Sequence, residues 1–240
     1  MKKEIHRAGT RGYAHHGWLE TYHSFSFADY YNPERMNFGA LRVLNDDLVQ
    51  AGMGFGTHPH SNMEIVSIPL KGSLEHRDTT GAHTIIHVND VQIMSAGTGV
   101  HHSEYNHSKT EEVNFLQIWI TPKERNITPR YDQKTFSQEG RKNKFQLLVS
   151  PEKNNESVWI NQDAYLWMAD LDANNNLNYV LQKKTNGIYL FVIEGELMVE
   201  GETLRKRDAI AISEYDQALS VKAEKHSKIL LIEVPMVSVR

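Results

Sequence analysis

The chain is 240 residues long, carries a formal net charge of −4 and contains no cysteine. That length accommodates one large β domain or two of ordinary size, either of which buries a real core. The acidic balance excludes an electrostatic footprint for nucleic acid, and the lack of cysteine excludes disulfides and thiolate metal sites.

Taken in chain order, the start MKKEIHRAGTRGY has lysines but no apolar run behind them, unlike a signal peptide. No later stretch approaches the roughly 18 apolar residues that cross a bilayer, so the protein is expected to be cytoplasmic and to have no membrane partner. HSFSFADYY alternates around Phe25 and Phe27 and reads as a strand running into a turn at Asn32-Pro33. FGALRVLNDDLV is apolar, with Asn45-Asp46-Asp47 marking a turn. Gly52, Gly54 and Gly56 then precede a histidine pair, and glycine beside a strand marks a bulge or a close backbone approach.

From Glu64 onward the pattern is β. EIVSIPL, SLEHRD, HTIIHV, VQIMSA and HHSEYNHS are separated by turns at Lys71-Gly72, Thr79–Gly81, Asn89-Asp90 and Gly97–Gly99. VNFLQIWI (113–120) is apolar enough to be buried on both faces. Residues 121–146 hold two prolines and many charges and suit an interdomain linker. Beyond them, FQLLVSP, SVWI, AYLWMADL, IYLFVIEGELMVEGETL, KRDAIAIS, QALSVKA and SKILLIEVP are strand-like, with a hairpin turn at Glu200-Gly201. Short strands at this spacing predict an all-β sandwich or barrel with little helix.

The two halves repeat. IVSIPLKGSLEH aligns with YLFVIEGELMV when Gly72 is laid on Gly195, and NDVQIMSA aligns with RDAIAISE when Asp90 is laid on Asp208. Two copies of one β domain are therefore expected, spanning 1–130 and 131–240. Of the 13 histidines, the second copy holds only His226. His58 and His60 correspond on this alignment to Leu181 and Lys183, and His102 and Glu104 to Ser220 and Lys222. The second domain is thus expected to lack any metal site.

In the first copy, His58 and His60 flank Pro59, and His102 and Glu104 flank Ser103. A strand has a side-chain period of two, so each pair projects from one face. Two such strands side by side bring three imidazoles and a carboxylate to one point, a donor set suited to a first-row transition metal.

GMGFGTHPHSNME fits the first motif of the cupins: glycine, five residues, His-x-His, three residues, glutamate. GTGVHHSEYN is a looser match to the second, with Gly97-Thr98-Gly99 where Pro-x-Gly is usual. HSFSFADYY, FGALRVLNDD, FGTHPHSNMEIVS, EHRDTTG, QIMSAGTGVHHSEYN and INQDAYLWMADL resemble the pirin family and its bacterial quercetinase-type members, over nearly the whole chain. The resemblance implies two cupin (jelly-roll β-barrel) domains in tandem with a metal only in the first. It implies His58, His60, His102 and Glu104 as ligands and places Glu64, a ligand in many other cupins, as a residue orienting a ligand imidazole. His101, next to His102, faces the opposite way.

The implied activity is a metal-dependent dioxygenase that cleaves flavonols such as quercetin with dioxygen and releases carbon monoxide, with Glu104 accepting a substrate proton. Iron(II) is the ion favoured by the family, with nickel, manganese, copper, cobalt and zinc as alternatives. A monomer is expected. A second reading is a metal-bearing, redox-sensing regulator that binds a protein partner, and a third is another cupin chemistry such as an isomerase. His76 is expected on the outer surface rather than at the pocket mouth. His15, His16, His83, His87 and His107 are expected on the surface, and His23 with the aromatics of 18–31 in core or interface packing.

Overall fold

The computed structural model describes residues 1–236. Within them regular structure is strand throughout, apart from two short 3-10 turns at Ala8–Thr10 and Gln138–Arg141. The strands form two seven-stranded and two four-stranded sheets. One sheet of each size makes each of two barrels, the tandem all-β arrangement expected.

The repeat is visible in the strand order. In the first barrel the small sheet runs Gly54–His60, Val100–Asn106, Ser73–Asp78, His83–His87; in the second it runs Asn176–Tyr179, Leu219–Ala223, Glu196–Val199, Glu202–Arg205. Gly72 and Gly195 occupy equivalent corners, where the chain leaves a large sheet for a small one, with φ of +74° and +94°. A Cβ on Gly195 would fall 2.2 Å from Ser227 Oγ, so both backbone angle and space demand glycine there.

The alignment carries a one-residue slip. Leu219, Val221 and Ala223 are buried in the second barrel's core while Ser220 and Lys222 face outward. The inward positions His102 and Glu104 are therefore matched by aliphatic residues of that alternate set, because a shift of one exchanges the two faces of a strand.

Val113–Ile120 lies between Leu41–Val49 and Glu64–Lys71. Its Leu116, Ile118 and Ile120 join Leu41, Val66, Leu166, Phe191 and Ile232 in one apolar cluster, the seam between the two large sheets. Its alternate residues Phe115, Gln117 and Trp119 project into the first barrel, Phe115 into an apolar cluster with Leu74 and Ile86 and Gln117 and Trp119 onto the cavity described below. The seam explains why the strand is apolar on both faces.

Sheet membership departs from a division at residue 130. Lys2–His6 pairs with Ala209–Ser213 on the edge of the second barrel's large sheet. Arg130–Thr135, inside the stretch expected as linker, pairs with Asp90–Ser95 in the first. Its side chains are polar because it is an edge strand, and Gln133 and Thr135 donate to Asp90 while the Tyr131 hydroxyl meets that of Thr84. Asn45-Asp46-Asp47, expected as a turn, lies inside the strand Leu41–Val49. Asn45 and Asp47 face the cavity, and Asp46 pairs with Arg11 and, at 2.8 Å, with Arg207 of the second barrel.

Candidate metal centre

Gly54–His60 and Val100–Asn106 are antiparallel neighbours with His58 opposite His102. The close approach needs Gly54, where a Cβ would lie 2.3 Å from the backbone oxygen of Glu104. A register shift between His102 and Glu104 locally re-aims the strand. On its other side Val100–Asn106 pairs with Ser73–Asp78, setting Asp78 opposite His102 and His76 opposite Glu104.

Three of the expected residues converge. The ring centroids of His58, His60 and His102 lie 4.5 to 4.9 Å apart. Nε2 of His58 and Nε2 of His102 stand 3.0 Å apart. His58 Nδ1 donates to the carbonyl of Gly56 at 2.7 Å, which fixes its tautomer and leaves Nε2 with a lone pair. Burial, reinforced by the neighbouring imidazoles, lowers the pKa of His60 to about 4 and that of His102 to about 3. His60 Nε2 is buried with no hydrogen-bond partner. Depressed pKa values at His60 and His102, with the Nε2 atom of His60 left unmatched, favour the uncharged imidazoles that bind a borderline transition ion.

Glu104 borders the same space and is 2% exposed. Ser67 Oγ donates to its Oε1 at 2.9 Å, and Gln117 Nε2 donates to its Oε2 at 2.7 Å. One Glu104 oxygen lies within 4.8 Å of a ring nitrogen of His102 and of one of His76. The three clustered imidazoles, with Glu104 bordering the same space, are donors of a kind suited to a divalent transition ion.

The cluster opens on a cavity of about 630 Å³, a size typical of small-molecule sites. Trp18, Phe27, Phe55 and Trp119 line it. Trp119 packs edge-on against both His60 and Phe27, with centroids 4.9 and 5.3 Å away. The cavity also carries Thr21, His23, Asn45 and Asp47. His23 Nδ1 meets Asn45 Oδ1 at 2.8 Å, Thr21 donates to Asp47, and burial pushes the Asp47 carboxyl up to about 7.

Other expectations divide. His101 is exposed, as its position beside His102 implies, and so are His15, His16, His83, His87 and His107. His76 is not on the surface: its exposure is 0%, and it contacts Asp78, Tyr131 and His102. The alternation of Leu74, His76 and Asp78 against Glu75 and Arg77 carries the signal for this. His23 and the aromatics near it form the cavity wall as well as packing on one another. Glu64 touches none of the clustered imidazoles. It shares the seam-facing side of its strand with Val66 and Ile68 and accepts from Ser95 Oγ at 2.8 Å and from the backbone N–H of Asn161 at 3.2 Å. Burial raises its carboxyl to about 7. Ser67, Gln117 and Asp47 escaped sequence reasoning; the only trace was a cluster of polar residues in otherwise apolar strands.

Comparison with known proteins agrees with this architecture. Residues 5–120 match the Pirin family model, and residues 147–234 match the quercetinase C-terminal cupin domain. A protein of Escherichia coli K12 named quercetin 2,3-dioxygenase is 42% identical over 235 residues, covering 97% of this chain and 99% of that one. A pirin-like protein of Caulobacter vibrioides is 38% identical over 223 residues, covering 92% of this chain and 95% of its own. The crystal structure of the bacterial pirin YhhW from Escherichia coli, in complex with nickel(II), superposes with a TM-score of 0.92 at 41% identity, covering 98% of this chain and 100% of that one.

Proposed function

This chain belongs to the pirin family, and we propose that it is a metal-dependent dioxygenase opening flavonols such as quercetin with dioxygen and releasing carbon monoxide. The observation that carries the reading is the cluster of three imidazoles, with a buried carboxylate bordering the same space, on the wall of a large aromatic cavity. The proposed ligands are His58, His60, His102 and Glu104. A divalent transition ion bound there supplies Lewis acidity, lowering the pKa of the flavonol 3-hydroxyl. We take iron(II) as the resident ion; nickel(II), the ion in the Escherichia coli relative, is the second candidate.

The chain's own groups do the rest. Trp18, Phe27, Phe55 and Trp119 offer flat apolar surface to the fused rings and exclude water. Glu104, fixed by Ser67 and Gln117, accepts the 3-hydroxyl proton at a carboxylate oxygen. Loss of that proton makes the ring electron-rich toward dioxygen. Asp47 and Thr21 offer polar contacts to the substrate's other hydroxyls.

The test is aerobic consumption of quercetin with carbon monoxide measured in the headspace, using protein loaded in turn with iron, nickel, manganese and copper. Metal-dependent turnover with equal amounts of quercetin lost and carbon monoxide formed is expected. Silence of all four preparations overturns the enzymatic reading.

A further inference from the structure

One wall of the cavity carries polar side chains in register with a residue that holds Glu104. His23, Asn45 and Gln117 lie side by side on three neighbouring strands, Leu19–His23, Leu41–Val49 and Val113–Ile120, and all three line the cavity. Gln117 donates to Glu104. By the spacing of strands in a sheet, Asn45 and His23 stand roughly 5 and 10 Å from Gln117. They lie on its far side from Ser67, the other donor to Glu104.

His23 is built firmly into this wall. It is 3% exposed, and its ring packs against Phe27 and nearly parallel to Tyr30, with centroids 5.4 and 6.3 Å away. Its Nδ1 donates to Asn45 Oδ1 at 2.8 Å. An amide oxygen only accepts, so the proton of the neutral ring sits on Nδ1 and Nε2 keeps a lone pair. Burial lowers the pKa of His23, which favours that neutral form. Among the described residues the hydrogen bonds of this pair engage Nδ1 of His23 and Oδ1 of Asn45, leaving Nε2 of His23 and Nδ2 of Asn45 unmatched. Neither is one of the chain's fully buried unmatched atoms, so both face the cavity that their residues line. A fixed acceptor and a fixed donor that the protein leaves unmatched are hydrogen-bonding capacity held ready for a ligand. The reaction described above gives this pair no task.

We propose that His23 and Asn45 are specificity-determining residues that recognise a phenolic hydroxyl on the part of the flavonol farthest from Glu104. With the 3-hydroxyl at Glu104 and the rings laid across the row, that distant hydroxyl, itself donor and acceptor, finds both kinds of partner there. The substrate class narrows accordingly, from flavonols at large to those hydroxylated beyond the 3-position. A site built to bond such a hydroxyl rejects the analogue without it, because its own polar groups are then left unpaired. The inference rests on the flavonol reading of the same cavity and concerns binding, not turnover.

Flavonol binding to zinc(II)-loaded protein tests it, since zinc has no redox chemistry and the ligand is not consumed. Quercetin and 3-hydroxyflavone, whose only hydroxyl is the 3-hydroxyl, are titrated calorimetrically. Wild type should bind quercetin at least about 10-fold more tightly. His23→Phe keeps a ring against Phe27 and Tyr30 but removes the acceptor. It should weaken quercetin about 10-fold and leave 3-hydroxyflavone within about twofold. Equal affinities in the wild type, an unchanged preference in the variant, or an equal loss of both ligands overturns the proposal while flavonol binding stands. If the variant does not fold, imidazole ¹⁵N spectra of the wild type decide. Quercetin should shift Nε2 of His23 and 3-hydroxyflavone should not; a resonance unmoved by quercetin, or moved alike by both, overturns the proposal. Binding of neither flavonol overturns the flavonol reading and this inference with it.

Discussion

Glu64 offers a quantitative prediction far from the candidate chemistry. Its carboxyl is 1% exposed and receives the Asn161 N–H from the second barrel, and burial raises its pKa from 4.5 to about 7. A carboxyl whose folded-state pKa exceeds its unfolded value binds its proton more tightly when folded. Its contribution is therefore present at low pH and is lost as the pH climbs from the unfolded pKa through about 7. A shift of this size corresponds to roughly 3 kcal/mol, most of it lost between about pH 5 and pH 8. Glu64→Gln keeps the shape and an acceptor oxygen but cannot titrate. Urea unfolding of metal-free protein across that range should show wild type losing about 2–3 kcal/mol relative to the variant. Asp47, raised for the same reason, titrates in both proteins and cancels in the difference. A pH-independent difference between the two would refute the assignment.

Three further outcomes are expected. His102→Ala should lower bound metal from about one ion per chain to less than half while the β circular-dichroism spectrum persists; full stoichiometry would remove His102 from the ligand set. Gln117→Leu deletes the 2.7 Å hydrogen bond to Glu104 and should lower kcat for quercetin about 10- to 100-fold, measured at matched metal loading; an unchanged kcat would mean that Glu104 needs no such support. Gly195→Ala, with φ +94° and a Cβ 2.2 Å from Ser227 Oγ, should cost about 3 kcal/mol or more, against about 1 for Gly201→Ala, whose Cβ meets open space at φ +79°. Equal thermal shifts for the two glycines would contradict the steric argument.

Much of this was legible in the sequence because the signals were local and periodic. The double burial of Val113–Ile120, the hairpin at Glu200-Gly201 and the matched corners at Gly72 and Gly195 follow from residue type and spacing. The convergence of His58, His60 and His102 follows from a period of two on adjacent strands. What escaped depended on which strand pairs with which. Lys2–His6 and Arg130–Thr135 each join a sheet by pairing with a strand distant in sequence, which no local alternation of residues signals. Glu64 looked like part of the site because the motif places it near the histidines, but its strand turns it to the seam. His76 looked like surface because histidine is polar, although Leu74 two residues earlier already marked the inward face. The Asn45–Asp47 group resembled a turn because buried polar residues in mid-strand are rare except beside a functional cavity or a paired charge.

The crossed edge strands also set the order in which the chain can become a protein. Ile5 finds its partner only when Ile210 exists, so during synthesis the first strand waits, unpaired, for almost the whole polypeptide. The first barrel's large sheet likewise lacks its outer strand until Arg130–Thr135 has emerged. Such long-range closure favours slow, cooperative folding after synthesis. Residues 1–130 expressed alone should therefore lack an edge strand, expose the apolar seam and aggregate, while addition of the complementary fragment should rescue solubility. The second barrel, although it holds no counterpart of the clustered histidines, is in this sense an obligatory half of the first.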